Sequence, residues 1–166
     1  MINSKQFNLL SLALYEPRIP QNCGNIARTC AAFNLPLHLI EPLGFSLDDK
    51  YLKRAGLDYW PYMDIKIHKS FVHFCKAREP NVRLVAFSKT GDTDLKNVSF
   101  IKNDILILGR EDIGLPSEVR DKCDLIVSIP MPGGVLSNSG HGVRSLNLSS
   151  AASIIAYQAC SKLDYL

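Results

Sequence analysis

Two polar stretches of this chain hold residues able to do chemistry on an anionic or nucleotide-like ligand. In the first, residues 22–28 read Asn-Cys-Gly-Asn-Ile-Ala-Arg. The guanidinium of Arg28 is a rigid fork of donors suited to a phosphate or another anion, and a solvated arginine paired with a nearby carboxylate is the alternative. A cation close to a helix start opposes the helix dipole, so its placement asks for a reason. In the second, Gly133, Gly134, Gly140 and Gly142 lead into Val143-Arg144-Ser145-Leu146-Asn147-Leu148-Ser149. Glycines let backbone amides approach a ligand with no Cβ in the way, and the orphan N–H groups of a helix start near Ser145 to Asn147 can bond acceptor atoms. Ser145 and Asn147 can also orient a ligand; their alternative role is helix capping, and that of the glycine loop is a flexible surface connection.

Such residues need a frame. Short apolar runs at 9–15, 37–40, 82–87, 105–108 and 125–129 are rich in Leu or β-branched residues and bounded by turn formers. Their continuous character suits strands buried on both faces, as in a parallel sheet. Helical spacing with plausible caps occupies 22–33, 48–55, 70–76, 117–122 and 145–163, so strands and helices alternate as in an α/β layer fold. Pro17 and Pro20 stop the first strand, Asn22 or Asn25 is placed to cap the next helix, and Arg28 then lies about one turn in from Asn25. Ligands of open α/β sheets sit outside the carboxyl ends of the strands, and the polar loops 88–93, 109–116 and 130–145 all follow predicted strand ends. Neither G-x-G-x-x-G nor G-x-x-x-x-G-K-[ST] occurs, so the ligand must be held another way.

The 166 residues are 46% hydrophobic and 21% charged, with a net charge of +3 and a pI near 8.6. That is expected to form one domain, 1–166, able to bury a full core. The charge is compatible with a polyanionic partner without requiring one. Cys23, Cys30, Cys75, Cys123 and Cys160 are odd in number, widely spaced and lack a C-x-x-C pair, which argues against a disulfide framework and a structural zinc site. His38, His68 and His73 read as ordinary strand or helix positions and His141 as a loop residue, so no metal is expected. No apolar run approaches a membrane span and the N-terminus lacks the plan of a signal peptide, which predicts a cytoplasmic protein with no membrane partner.

Taken together, Asn22-x-Gly-Asn-Ile-x-Arg28, Gly109-Arg-Glu111-x-x-Gly114-Leu115-Pro116, and Ile129-Pro-Met131 followed by Ser145-Leu-Asn147-Leu-Ser149 resemble the three motifs of SPOUT-class RNA 2′-O-methyltransferases, over nearly the whole chain. Within that class, Leu14-Tyr-Glu-Pro-x-Ile-Pro20, Ile40-Glu-Pro-x-Gly-Phe45 and Asp49-Lys-x-Leu-x-Arg-Ala-Gly-Leu-Asp-Tyr59 are similar to the small single-domain enzymes that methylate the wobble ribose of tRNA, position 34, at cytidine or modified uridine. The resemblance implies a mostly parallel sheet flanked by helices with a C-terminal trefoil knot, one of the exceptions to unknotted chains. It also implies an S-adenosylmethionine cofactor and a homodimer that completes the site across its interface. Carried over residue by residue, cofactor contacts fall to Phe87, Gly109, Ile129, Ser145 and Leu146, with Asn147 alongside in an orienting role. Glu111 either ties the loops through backbone amides or is plain loop structure.

The same resemblance assigns activation of the ribose hydroxyl to Arg28. A guanidinium with a pKa above roughly 12 is a poor proton acceptor, so we read its role as stabilising the developing alkoxide. Lys50, Lys53 and Arg54 share one face at helical spacing beside Tyr51, Tyr59, Trp60 and Tyr62. With the resemblance, this reads as a surface for the tRNA anticodon loop, cations holding phosphates while a ring stacks on a base; a solvated basic face beside core aromatics is the bland alternative. Two departures from the pattern stand out: the loop 132–144 is enlarged, and Arg110 replaces a proline common in the wobble enzymes. Alternatives are a ribose methyltransferase of the same class acting elsewhere on tRNA or on rRNA, a catalytically silent RNA-binding relative, and a flavodoxin-like nucleotide-binding module.

Overall fold

The computed structural model describes residues 9–47, 60, 63–135, 143 and 145–166. Along strand β1 (Leu10–Tyr15), Leu10, Leu12 and Leu14 enter one apolar cluster while Ala13 and Tyr15 enter another. A strand buried on both faces belongs at the centre of a sheet. β1 is flanked by β2 (Leu37–Ile40) on one side and by a strand nearly a hundred residues later on the other. With β3 (Ile65–His68), β4 (Leu84–Phe87), β5 (Thr93–Asp94), β6 (Asp104–Leu108) and β7 (Leu125–Ser128), these form a 7-stranded sheet ordered β3-β2-β1-β6-β4-β7-β5. All described pairings are parallel.

Helices cover both faces. In α1 (Pro20–Phe33) the buried Cys23, Ile26, Ala27 and Cys30 recur at helical spacing, and in α4 (Leu148–Lys162) so do Ala152, Ile155, Ala156, Ala159 and Cys160. The two stripes pack together on the face of Leu10, Leu12, Leu14, Leu106 and Leu108, and Thr29 Oγ1 meets Ser153 Oγ at 2.9 Å between them. The opposite face is covered by α2 (Phe71–Ala77) and α3 (Ser117–Arg120), through Phe74 and Val119 against Ala13, Ala86, Ile105 and Ile107. Asn34 ends α1 in the left-handed region at φ 52°, a conformation asparagine tolerates better than most residues.

This is the α/β fold with a mostly parallel sheet that the sequence implies, with β6 inserted between β1 and β4. The five expected strands are present within two residues at either end. β3 and β5 were not expected: β3 is an edge strand whose Ile65-Lys66-Ile67-His68 alternates instead of running apolar, and β5 has only two residues. The helix expected at 48–55 lies outside the described residues.

One local expectation is corrected. Neither Asn22 nor Asn25 caps α1, because the helix begins earlier, with Pro20 at its first position and Ile19 as its N-cap. Proline's missing N–H and fixed φ suit the first helical position. Arg28 therefore sits more than two turns inside the helix, beyond the reach of the terminal dipole, which its charge does not oppose.

Candidate active site

Register brings the polar loops together. Phe87 lies opposite both Leu108 and Val127, so β4, β6 and β7 end level and their following loops leave the sheet side by side. Between these loops and the starts of α1 and α4 is a cavity of about 710 Å³. Ser88, Lys89 and Thr90 line it from the first loop, the run from Gly109 to Leu115 from the second, and Ile129, Met131, Ser145, Leu146 and Asn147 from the third. α1 contributes Asn22, the N-cap residue Ile19 stands beside it, and α3 contributes Arg120.

The second loop explains its own sequence. Arg110 and Gly114 exchange backbone hydrogen bonds of 3.1 and 2.9 Å, closing a tight turn in which Gly114 takes φ +71°. A side chain is strained there. Gly109 packs so closely on this turn that a Cβ would stand 2.2 Å from the carbonyl carbon of Gly114 and 2.4 Å from the nitrogen of Leu115. The turn presents Glu111 to the start of α1. Its Oε2 accepts from the amide of Arg18 at 2.8 Å, and its Oε1 accepts from the amide of Ile19 and from Asn22 Nδ2, both at 3.1 Å. A carboxylate thus supplies the negative charge that α1 lacks in its own first turn.

From Asn22 the chain of bonds continues. Asn147 Nδ2 donates to Asn22 Oδ1 at 3.0 Å, while Asn147 Oδ1 caps α4 by accepting from the amides of Ser149 and Ser150 and from the Ser149 hydroxyl. Glu111, Asn22 and Asn147 therefore join three segments far apart in sequence into one rigid polar wall. Because Asn147 is the cap, α4 starts at Leu148, and Ser145 and Leu146 stay outside the helix on the cavity's edge. The positions 16, 110 and 112 form a second cross-link: Arg110 makes bonds of 2.9 and 2.6 Å to Asp112 and lies 3.4 Å from Glu16. The Arg110 guanidinium holds the Asp112 carboxyl down at about 2, so both groups keep their charges at neutral pH.

Phe87, Gly109, Ile129, Ser145 and Leu146 all line the cavity, as does Asn147. Arg28 is exposed on α1 and does not line the cavity of its own chain. Lys50, Lys53 and Arg54 lie outside the described residues. Asn22, read from sequence only as a possible cap, is a buried member of the polar wall, and Lys89, Thr90 and Arg120 were not anticipated; the only signal for the first two was the polar loop after the run 82–87. Among the described residues no helix is long and apolar enough to cross a membrane.

A nucleoside-sized cavity at the carboxyl edge of a parallel sheet, walled by glycine-tight loops and fixed amides, defines an α/β protein built to bind a nucleotide-like ligand. The chain belongs to the SpoU rRNA Methylase family, whose sequence profile matches residues 9–157. It is 43% identical over 159 residues to the tRNA (cytidine(34)-2′-O)-methyltransferase of Saccharophagus degradans, covering 95% of this chain and 97% of that protein. A solved structure from work on the 2-OH methylation of C/U34 on tRNA superposes with a TM-score of 0.85 at 47% identity, covering 93% of this chain and 96% of the other. The AdoMet-bound rRNA methyltransferase of Sinorhizobium meliloti has the same fold at a TM-score of 0.81 and 25% identity, over 95% of this chain and 58% of the larger protein.

Proposed function

We propose that this protein is an S-adenosylmethionine-dependent methyltransferase acting on the ribose 2′-oxygen of the tRNA wobble nucleotide, position 34, at cytidine or modified uridine. The observation that carries this reading is the cavity itself, where all three family motifs meet and the polar wall of Glu111, Asn22 and Asn147 stands beside them.

The residues present fit the cofactor. The cavity volume lies in the range of small-molecule sites, and Phe87, Leu108, Ile129 and Leu146 offer apolar surface for a purine beside the polar groups of Ser145 and Asn147. When bound, S-adenosylmethionine supplies an electrophilic methyl group on its sulfonium. Phe87, Gly109, Ile129, Ser145 and Leu146 would hold it and exclude water, and the Asn22–Asn147 wall would fix the angle at which the ribose enters, since positioning is the main lever of such a transfer. Arg28 would offer its guanidinium N–H groups to the ribose oxygen as negative charge develops there.

Arg28 stands outside its own chain's cavity, and this favours a homodimer in which one protomer completes its partner's site. Ile154 and Tyr157, 44% and 57% exposed on the outer face of α4, offer apolar area for that contact. Lys50, Lys53 and Arg54 would take the anticodon loop. A tRNA substrate suits a cytoplasmic enzyme formed as one domain over 1–166.

The test is transfer of labelled methyl to tRNA from a strain lacking the modification, followed by nuclease mapping. We expect label at nucleotide 34 and a loss of at least about a hundredfold in Arg28→Ala; label elsewhere, or full turnover in Arg28→Lys, contradicts the corresponding part of the reading. Ile154→Glu should sediment as a monomer, and an unchanged dimer would remove α4 from the interface.

A further inference from the structure

The cavity wall on the α3 side carries charge that the reaction just proposed leaves unused. Five charged residues line the cavity: Lys89, Arg110, Glu111, Asp112 and Arg120. Arg110 is neutralised by Asp112 and Glu16, and Glu111 is consumed by two backbone amides and Asn22. Lys89 and Arg120 have no carboxylate partner among the described residues. Arg120 is nevertheless held in place: its Nη1 donates to Thr90 Oγ1 at 3.0 Å, and the Ser88 hydroxyl braces Thr90 through its amide at 3.3 Å and its hydroxyl at 3.1 Å. The loop after β4 and the end of α3 are thereby fastened to each other, which sets the guanidinium beside the residue following Lys89.

We infer that Lys89 and Arg120 form a phosphate clamp that seats the RNA backbone next to the reacting ribose. Two adjacent cations, one of them fixed in orientation by a hydroxyl, match a phosphodiester, since Arg supplies directed donors and Lys a mobile point charge. The charge balance favours RNA over the cofactor as the occupant. A sulfonium is repelled by a cationic wall, whereas a phosphate arriving beside the ribose turns that wall into binding energy. The clamp residues line the same cavity as Asn22 and Asn147, so a phosphate held by the one pair and a ribose positioned by the other would share one site.

The inference rests on the tRNA reading, and its test separates the two. Binding of an unmodified anticodon stem-loop is measured across a salt series for the wild type, Lys89→Ala/Arg120→Ala and the charge-preserving Lys89→Arg/Arg120→Lys, with S-adenosylmethionine binding followed by calorimetry for each. The alanine pair should bind the stem-loop about tenfold or more weakly, with a salt slope shallower by about 1.4 for two lost contacts on a single strand. It should keep wild-type cofactor affinity, and the charge-preserving pair should recover RNA binding. Wild-type RNA affinity and slope in the alanine pair overturn the clamp, as does a loss confined to cofactor binding, which would assign the cations to the cofactor's carboxylate. Failure of the wild type itself to methylate nucleotide 34 strikes the tRNA reading and is seen in a separate assay.

Discussion

Asn147 has two jobs that one substitution separates. Its Oδ1 caps α4 and its Nδ2 donates to Asn22. Asn147→Asp keeps the acceptor, and a carboxylate at a helix start is favourable, so stability should change by less than about 1 kcal/mol. The donor to Asn22 is lost, and kcat/KM for methyl transfer should fall at least about tenfold; full activity in this variant would leave the residue with capping alone. Gly109→Ala tests the tight turn. A Cβ in contact with the backbone of 114 and 115 must push the loop outward, at about 1–3 kcal/mol by denaturant unfolding, and weaker cofactor affinity should accompany it. At this scale the sequence was readable where chemistry is local: Phe87, Gly109, Ile129, Ser145, Leu146 and Asn147 line one cavity, whereas Arg28 does not. What it could not reveal was partnership across distance. The carboxylate serving the start of α1 is 92 or 93 residues away, so inspection of neighbours picked out the wrong cap.

Strands β2 and β3 carry a feature that no spacing could signal, because it depends on register. His38 and His68 read as ordinary strand positions, and they are on strands, but His38 Nδ1 meets His68 Nε2 at 2.9 Å, with both rings edge-on to Phe74. Such a bond requires one neutral ring at least. Burial foremost, then His68 and Lys66, brings His38 down to about 4, and burial lowers His68 as well. Above about pH 6.5 both the folded and the unfolded chain leave His38 neutral, and no stability is lost. As pH falls from 6.5 toward 4 the unfolded chain takes up a proton that the folded one refuses, so the fold weakens by up to roughly 3 kcal/mol. Urea midpoints measured from pH 7 to 4 should show this decline in the wild type and a flatter profile in His38→Gln; parallel profiles would assign the acid sensitivity to other groups. The elements themselves were legible because buried parallel strands announce themselves as apolar runs. β3 escaped because an edge position leaves none of its four residues fully buried, Lys66 and Ile67 both being exposed, so no continuous apolar run marks it.

For the molecule as a whole, binding and folding should be linked. A cofactor that binds only the folded chain adds stability by mass action, about 2.7 kcal/mol at a hundredfold excess over its Kd. S-adenosylmethionine should therefore raise the melting temperature, and Arg28→Ala, outside the cavity, should keep that rise in full. A variant that loses activity but keeps the shift has lost chemistry and not the pocket. The order of the sheet carries a further consequence for biosynthesis. β1 waits for β6 as its second neighbour, and the start of α1 waits for Glu111. A nascent chain leaving the ribosome thus carries an open strand edge until about two thirds of it has emerged, a template for unwanted pairing. Methylation competence arrives in one late step, and a truncated translation product has no partial enzyme to offer.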